Sequence, residues 1–236
     1  MDYAFTCVMT AAPIHFRDER LMLDPTGAAF WPAKRVLIVA DLSLERLAGV
    51  AVSQMSAADP RVALERLLRL VRLYRPAKVI LLGVQANTRF LTRRLHQDDK
   101  ARLEAMAREA PFIWVTAAEH DPNFLPGQFT PVHREGPFTF RHEPAAQLGP
   151  REIEIAGFHR PKASIAARAR RVSRPCFVAD SRRLVLPAFA GAAEGPDVRD
   201  QPIARLFPRG LRVFLLGQDQ LFSFALEQLG RIAEVA

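Results

Sequence analysis

Apolar runs and helical periods alternate along the first half of the chain. Arg35–Ala40 and Lys78–Leu82 are short apolar runs, and such runs are typical of buried strands. A third strand is predicted at Phe112–Thr116. Apolar residues recur at helical spacing after Asp59-Pro60, a helix-capping pair, and again from about Asp98 to Ala110. This order of strand, helix, strand, helix, strand predicts a parallel sheet with right-handed crossovers.

The second half of the chain predicts short strands in close succession. They are predicted at Phe138–Arg141, Glu152–Ala156, Ala163–Ala169, Pro175–Val178, Arg183–Leu186 and Leu211–Leu216. This succession favours a second sheet that is mixed or largely antiparallel. The stretch Phe189–Arg205 is rich in Gly, Ala, Pro and Asp, which predicts an exposed loop. We therefore expect an α/β fold with two packed mixed β-sheets flanked by helices, in a single domain over residues 1–236.

The amino-acid composition is typical of a globular protein with a single core. The 236 residues are 49% hydrophobic, which is enough for one sizeable core. No apolar run approaches the roughly 18 residues of a membrane span, and the acidic start of the chain is unlike a secretory signal. Cys7 and Cys176 both lie in apolar surroundings, as buried thiols do in a reducing compartment. We therefore expect a cytoplasmic protein with no membrane partner.

The net charge of +8 comes almost entirely from arginine. Such a charge favours polyanionic partners through steering and counterion release. A GC-rich genome, which encodes Arg in place of Lys, gives the same excess. The charge alone therefore leaves nucleic-acid binding open.

Polar residues follow the predicted strands, at the edge where α/β sheets bind ligands. They occur in Asp41-Leu42-Ser43, Gly83-Val84, Glu119-His120-Asp121, His142-Glu143 and Gly157-Phe158-His159-Arg160. In order and spacing these segments resemble the calcineurin-like metallophosphoesterases. That family has Asp-x-His, Gly-Asp, Gly-Asn-His-Asp, a lone His and Gly-His-x-His after successive strands.

Flanking segments narrow the resemblance to the bacterial DNA-ligase-associated (PdeM-type) phosphoesterases and endonucleases. These segments are Phe30-Trp31-Pro32, Asp41-Leu42-Ser43-Leu44, Tyr74-Arg75-Pro76, His142-Glu143-Pro144, Pro175-Cys176-Phe177 and Leu184–Phe189. The resemblance implies the metallophosphoesterase fold, an αββα sandwich in which two metal ions clamp a phosphate. It also implies a DNA-repair setting, with a DNA ligase, a helicase and a nuclease as partners.

The resemblance assigns roles to five residues that match or approximate the family motifs. Asp41, Glu119 and His142 correspond to metal ligands, with Glu119 in place of an Asn. His120 corresponds to the acid–base histidine, which protonates the leaving oxygen, and Asp121 to the acid that orients it.

Besides Glu119, four family ligand positions carry other residues. Ser43 and Val84 replace a histidine and the bridging aspartate, and Phe158 and Arg160 replace the two histidines of Gly-His-x-His. His159 is one residue out of register, which in an extended segment points it to the other side of the chain. Valine cannot bind a metal, and losing a bridging carboxylate removes the common anchor of both ions.

Arg160 has two interpretations. A guanidinium where a metal ion sat offers fixed charge and a fork of donors to a phosphate, with His159 beside it. Alternatively, Arg160 pairs with Glu119 or Asp41 and fills the vacated space, which relieves repulsion between those carboxylates.

Three functional hypotheses follow. The first is a degenerate family member with lost or strongly weakened hydrolysis and no metal, which acts as a nucleic-acid- or partner-binding subunit in DNA repair. The alternative is an active phosphodiesterase or DNA endonuclease with one weakly bound Mn²⁺ at Asp41, Glu119 and His142. The third is nucleic-acid binding on the basic surface, independent of the former active site.

Overall fold

The computed structural model describes residues 8–9, 11–42, 44, 60–83, 95–117, 125–167, 170–189 and 195–230. A seven-stranded sheet forms from the first half of the chain. Its strands follow one another in space as in sequence: β2 (Ala12–Phe16), β3 (Glu19–Leu23), β4 (Ala29–Trp31), β5 (Val36–Ala40), β6 (Lys78–Leu82), β7 (Phe112–Val115) and β8 (Gln128–Thr130). Strands β5 to β8 are parallel, as predicted, whereas β2 to β5 run antiparallel to their neighbours.

A nine-stranded sheet contains most of the second half. Its strands are β1 (Val8–Met9), β9 (Val132–Glu135), β10 (Phe138–Arg141), β11 (Ile153–Ala156), β12 (Lys162–Ala167), β13 (Arg170–Ala179), β14 (Arg183–Val185), β15 (Arg212–Leu216) and β16 (Leu221–Ala225). Their spatial order is β1-β16-β15-β13-β14-β11-β10-β9, with β12 paired to β13. Strands β10, β11 and β14 are parallel and the other pairs are antiparallel, so this sheet is mixed as predicted.

Helices cover the outer faces of the sheets. Helix α1 (Pro60–Tyr74) buries its leucine stripe against the seven-stranded sheet, beside α2 (Gln97–Glu109). His96 caps α2 by accepting a hydrogen bond from the Asp98 amide at 3.4 Å. A four-residue helix, α3 (Gln201–Ala204), lies over the nine-stranded sheet, and 3-10 turns occur at Pro32–Lys34 and Leu226–Gly230.

The main core lies between the two sheets. Val36, Ile38 and Ile80 from one sheet share it with residues of the other, such as Phe138 and Ile155. These side chains are essentially fully buried. Because each sheet presents an apolar face to the other and carries helices outside, the predicted α/β sandwich is confirmed. Within the described ranges, no helix has the length and apolar character that a membrane crossing requires.

Two sequence-based expectations need correction. The stretch Phe189–Arg205 is not simply an exposed loop: Phe189, Val198 and Ile203 are each 0% exposed, and α3 lies within it. Val198 and Ile203 fill the apolar outer face of the nine-stranded sheet, which gives this Gly- and Pro-rich connection a buried side. The pattern also missed strands β2 to β4, which precede β5. Cys176 is buried as expected, whereas Cys7 lies outside the described residues.

Candidate functional site

The carboxyl ends of the parallel strands in both sheets meet at one edge of the sandwich. In the seven-stranded sheet, Asp41 directly follows β5 and Gly83 follows β6. In the nine-stranded sheet, His142 follows β10 and Gly157 follows β11. The Phe189 amide donates to the Ala40 carbonyl at 2.8 Å, which fixes the segment after β14 to the end of β5. Side chains from two different sheets therefore converge here, as they do beyond strand ends in other α/β proteins.

An ion pair between Asp41 and Arg160 joins the two sheets at this edge. Arg160 Nε contacts Asp41 Oδ2, and the two side chains are 12% and 3% exposed. Asp41 follows β5 of the seven-stranded sheet, and Arg160 lies after β11 of the nine-stranded sheet. The second interpretation of Arg160, in which it pairs with an acid of the former site, agrees with this contact.

Both partners of the ion pair have a left-handed backbone. The φ angle is 54° at Asp41 and 49° at Arg160. Aspartate tolerates this region, but a long unbranched side chain rarely adopts it, and such conformations persist only where surrounding contacts enforce them. At this edge of the sandwich, backbone strain therefore falls mainly on Arg160.

The His142 imidazole packs directly on the backbone of Gly83. A Cβ atom added to Gly83, whose φ is +95°, would lie 2.9 Å from His142 Cε1 and closer still to two other ring atoms. The Asp41 amide donates to the Leu82 carbonyl at 3.0 Å, and the Gly83 amide donates to the Val115 carbonyl at 2.9 Å. Glycine is thus required at position 83 both for its backbone and for the approach of the ring.

Replacing Gly83 by Ala is expected to lower stability more than replacing Gly210 by Ala. Gly210 has the same φ of +95°, but a Cβ there meets no atom within 4 Å. Gly210→Ala therefore carries backbone strain alone, of about 1 kcal/mol. Gly83→Ala should cost about 1–2 kcal/mol more, because the His142 ring must move. Urea unfolding measures both costs, and equal losses would contradict the packing of His142 on Gly83.

The segment after β11 forms a turn, which corrects the expectation of an extended segment there. Residues 158 and 159 are in a turn, so alternation does not decide where His159 points. The Phe158 ring is 39% exposed and lies edge-on to the His142 ring, with 5.3 Å between the ring centroids. The centroid of the His159 ring is 5.4 Å from that of Phe158. Before this turn, Gly157 lies so close to β5 that an added Cβ would be 2.6 Å from the Ala40 Cβ.

Burial favours the neutral form of both histidines of the site by lowering their pKa values. Burial lowers the pKa of His142, the Arg160 charge lowers it further, and Glu143 opposes the shift. The pKa of His159 is also lowered, mainly by burial and by the charge of Arg205. The lowered pKa values favour the neutral rings, in which each imidazole has a donor and an acceptor nitrogen.

A buried charge network fixes the segment after His142. Glu154 is 0% exposed and accepts hydrogen bonds from Arg183 Nε at 2.7 Å, from Arg141 at 3.0 Å and from the Ala145 amide at 2.8 Å. Arg183, 3% exposed, donates in turn to the Ala145 carbonyl at 2.5 Å and to the Leu206 carbonyl at 2.9 Å. Sequence reasoning missed this network; its signal was a lone acid within the apolar strand Ile153–Ala156.

The structure brings together half of the residues that the sequence singled out. Asp41, His142, Phe158, His159 and Arg160 lie at the same edge of the sandwich. The other half lie outside the described residues, so their roles stay predictions: Ser43, Val84, Glu119, His120 and Asp121. Of the histidines given no role, His96 caps a helix, His15 is exposed, and His133 lies 3.3 Å from Glu135.

This architecture, two mixed sheets face to face with the candidate residues at the strand ends of one edge, is a metallophosphoesterase-like sandwich. Among solved structures, the chain is similar to the nuclease MPE of Pseudomonas putida, with 24% identity and a TM-score of 0.65 over 91% of this chain and 100% of that chain. The E. coli phosphoesterase Yfce is a more distant match, with 12% identity and a TM-score of 0.38 over 81% of this chain and 98% of that chain. Neither a protein-family model nor a curated protein matches the chain.

The residues at this edge do not fit the two-metal centre that the resemblance implies. Asp41, to which the resemblance assigns the role of first ligand, pairs with the Arg160 guanidinium. In the resemblance, Arg160 itself replaces a ligand histidine. The bridging position carries Val84, which has no donor atom.

Proposed function

We propose that the chain is a metallophosphoesterase-fold protein with lost or strongly weakened hydrolysis, which binds nucleic acid as a subunit in DNA repair. The Asp41–Arg160 ion pair carries this proposal. A guanidinium supplies the positive charge that Asp41 needs, but it cannot activate water as a metal ion does. Val84 and Phe158 remove two further ligands, so a second ion has no common anchor.

Nucleic acid is the phosphate-bearing ligand that the other observations favour. The net charge of +8 attracts polyanions, and the similar structure from Pseudomonas putida is that of a nuclease. The sequence resemblance implies association with a DNA ligase, a helicase and a nuclease, and we include this association in the proposal.

We expect the purified protein to retain almost no Mn²⁺. The measurement is elemental mass spectrometry after equilibration with Mn²⁺ and desalting, together with phosphodiesterase turnover. Asp41→Asn is the control, because asparagine tolerates the left-handed backbone at this position but loses the charge. Wild type and control should give the same low metal content and the same background turnover.

Two results would overturn parts of the proposal. One Mn²⁺ per chain with turnover, both lost in Asp41→Asn, would establish the one-metal phosphodiesterase built on Asp41, Glu119 and His142 instead. Failure to bind DNA at low salt in the presence of a chelator would remove the nucleic-acid ligand, whatever the metal content.

A further inference from the structure

The hairpin of β12 and β13 extends from the nine-stranded sheet as a two-stranded ribbon. Lys162–Ala167 pairs with Arg170–Pro175 in antiparallel register. The rest of β13, Cys176–Ala179, pairs instead with β14 and β15. Within the described residues, the outer half of β13 thus has only β12 as a hydrogen-bonded neighbour, and we call these two segments the ribbon.

The hairpin carries positive charge and no negative charge, and most of its basic residues lie on β13. Between positions 162 and 175 the chain has no Asp or Glu and no aromatic residue, and its basic residues are Lys162, Arg168, Arg170, Arg171 and Arg174. The Arg174 side chain is exposed, as is Ser173 beside it. Residues 168 and 169, between the two strands, lie outside the described part. Basic residues so close in sequence repel one another, and a polyanion relieves such repulsion.

The root of the ribbon is fixed next to the candidate site. The Lys162 amide donates to the Pro196 carbonyl at 3.1 Å, and the Ser164 amide donates to Asp197 Oδ2 at 3.1 Å. Across the ribbon, the hydroxyl oxygens of Ser164 and Ser173 are 2.8 Å apart. Because β12 begins two residues after Arg160, the anchored ribbon starts beside the Asp41–Arg160 pair. A partner that binds a pre-ordered element loses less entropy than one that must order it.

We propose that the ribbon binds B-form duplex DNA through its phosphates, lying along the major groove. This inference rests on the proposed nucleic-acid binding and names the surface responsible. The major groove of B-DNA admits a two-stranded β-ribbon. Arginine side chains along the rims of the groove then meet the phosphates. The major groove of A-form RNA is deep and narrow, which disfavours an RNA duplex. The absence of aromatic residues disfavours single strands, which bind by base stacking.

Removing three ribbon charges tests the proposal in the full-length chain. The variant is Arg170→Gln/Arg171→Gln/Arg174→Gln. The matched control, Arg69→Gln/Arg72→Gln/Arg102→Gln, removes the same charge from exposed helix positions. Fluorescence anisotropy with a labelled DNA duplex over a salt series should show binding about 100-fold weaker for the ribbon variant at 0.1 M salt, with the salt slope reduced by about 2–3. The control should lose only a few-fold.

The possible outcomes distinguish failure of the ribbon proposal from failure of the proposed function. Equal losses in ribbon variant and control, with wild type still binding, would overturn the ribbon while leaving nucleic-acid binding intact. No wild-type binding at low salt would overturn both. Equal or tighter binding of duplex RNA or single-stranded DNA would overturn the assignment to duplex DNA. If the triple variant does not fold, Arg174→Glu at its exposed position gives the same test with a loss of about 10-fold or more.

Discussion

The variant Arg160→Met is expected to lose about 3–5 kcal/mol of its free energy of unfolding. Methionine keeps the length of the side chain but removes the charge, and Asp41, 3% exposed, then remains as a buried carboxylate beside an apolar group. A buried ion costs far more when its partner is removed than the intact pair contributes, because water cannot solvate it. Urea unfolding of both proteins at neutral pH measures the loss.

A double variant separates the charge from the packing. Asp41→Asn/Arg160→Met removes both charges of the pair and keeps a residue that tolerates the left-handed backbone at position 41. It should therefore be more stable than Arg160→Met, with a coupling of about 1–3 kcal/mol in the double-mutant cycle. Arg174→Gln, at an exposed position, should change stability by no more than about 0.5 kcal/mol. Additive losses in the cycle would show that the Asp41–Arg160 contact contributes nothing.

The second large effect is expected for Glu154→Ala. This change removes the carboxylate that holds both Arg183 and Arg141, and Arg183 is 3% exposed. The loss should again be about 3–5 kcal/mol, since a buried guanidinium remains without its counter-ion. The Ala145 amide also loses its acceptor, so its hydrogen exchange should become faster than in the wild type.

Glu152→Ala is the matched control for Glu154→Ala. Glu152 also pairs with Arg141, at 2.7 Å, but its side chain is 19% exposed instead of 0%. Water solvates what the deletion leaves behind, so the expected loss is at most about 1 kcal/mol. Similar losses for the two variants would contradict the idea that burial of Glu154 makes the network stabilising.

The sequence predicted those elements of the fold whose pattern is local. β6 begins and ends where the apolar run does, and α1 begins at Pro60 and ends at Tyr74, before Pro76. β2 was missed because Pro13 and His15 interrupt its pattern, and it is defined by pairing with β3. Its residue Phe16 is buried only because the second sheet covers it. Such long-range burial leaves little signal in the segment itself.

The sequence predicted which types of residue lie at the candidate site, but not which side chains contact one another there. Strand ends pointed to Asp41, His142 and Arg160, because ligands gather there in α/β folds. The choice of Asp41 as the described partner of Arg160 depends on the turn after β11 and on the left-handed backbone of both residues. Gly157, where the ends of the two sheets approach within contact distance, likewise has a role only in the folded structure.

The ion pair that joins the two sheets differs from a bound metal ion in how its contribution to stability depends on the solution. A metal ion stabilises a fold by mass action, so the stability that it adds changes with its free concentration. The Arg160 guanidinium is tethered to the same chain as Asp41, and its effective concentration at the carboxylate is set by the fold itself. In the proposed function, the stability of this edge of the sandwich therefore does not follow the metal supply, since its cation is part of the polypeptide.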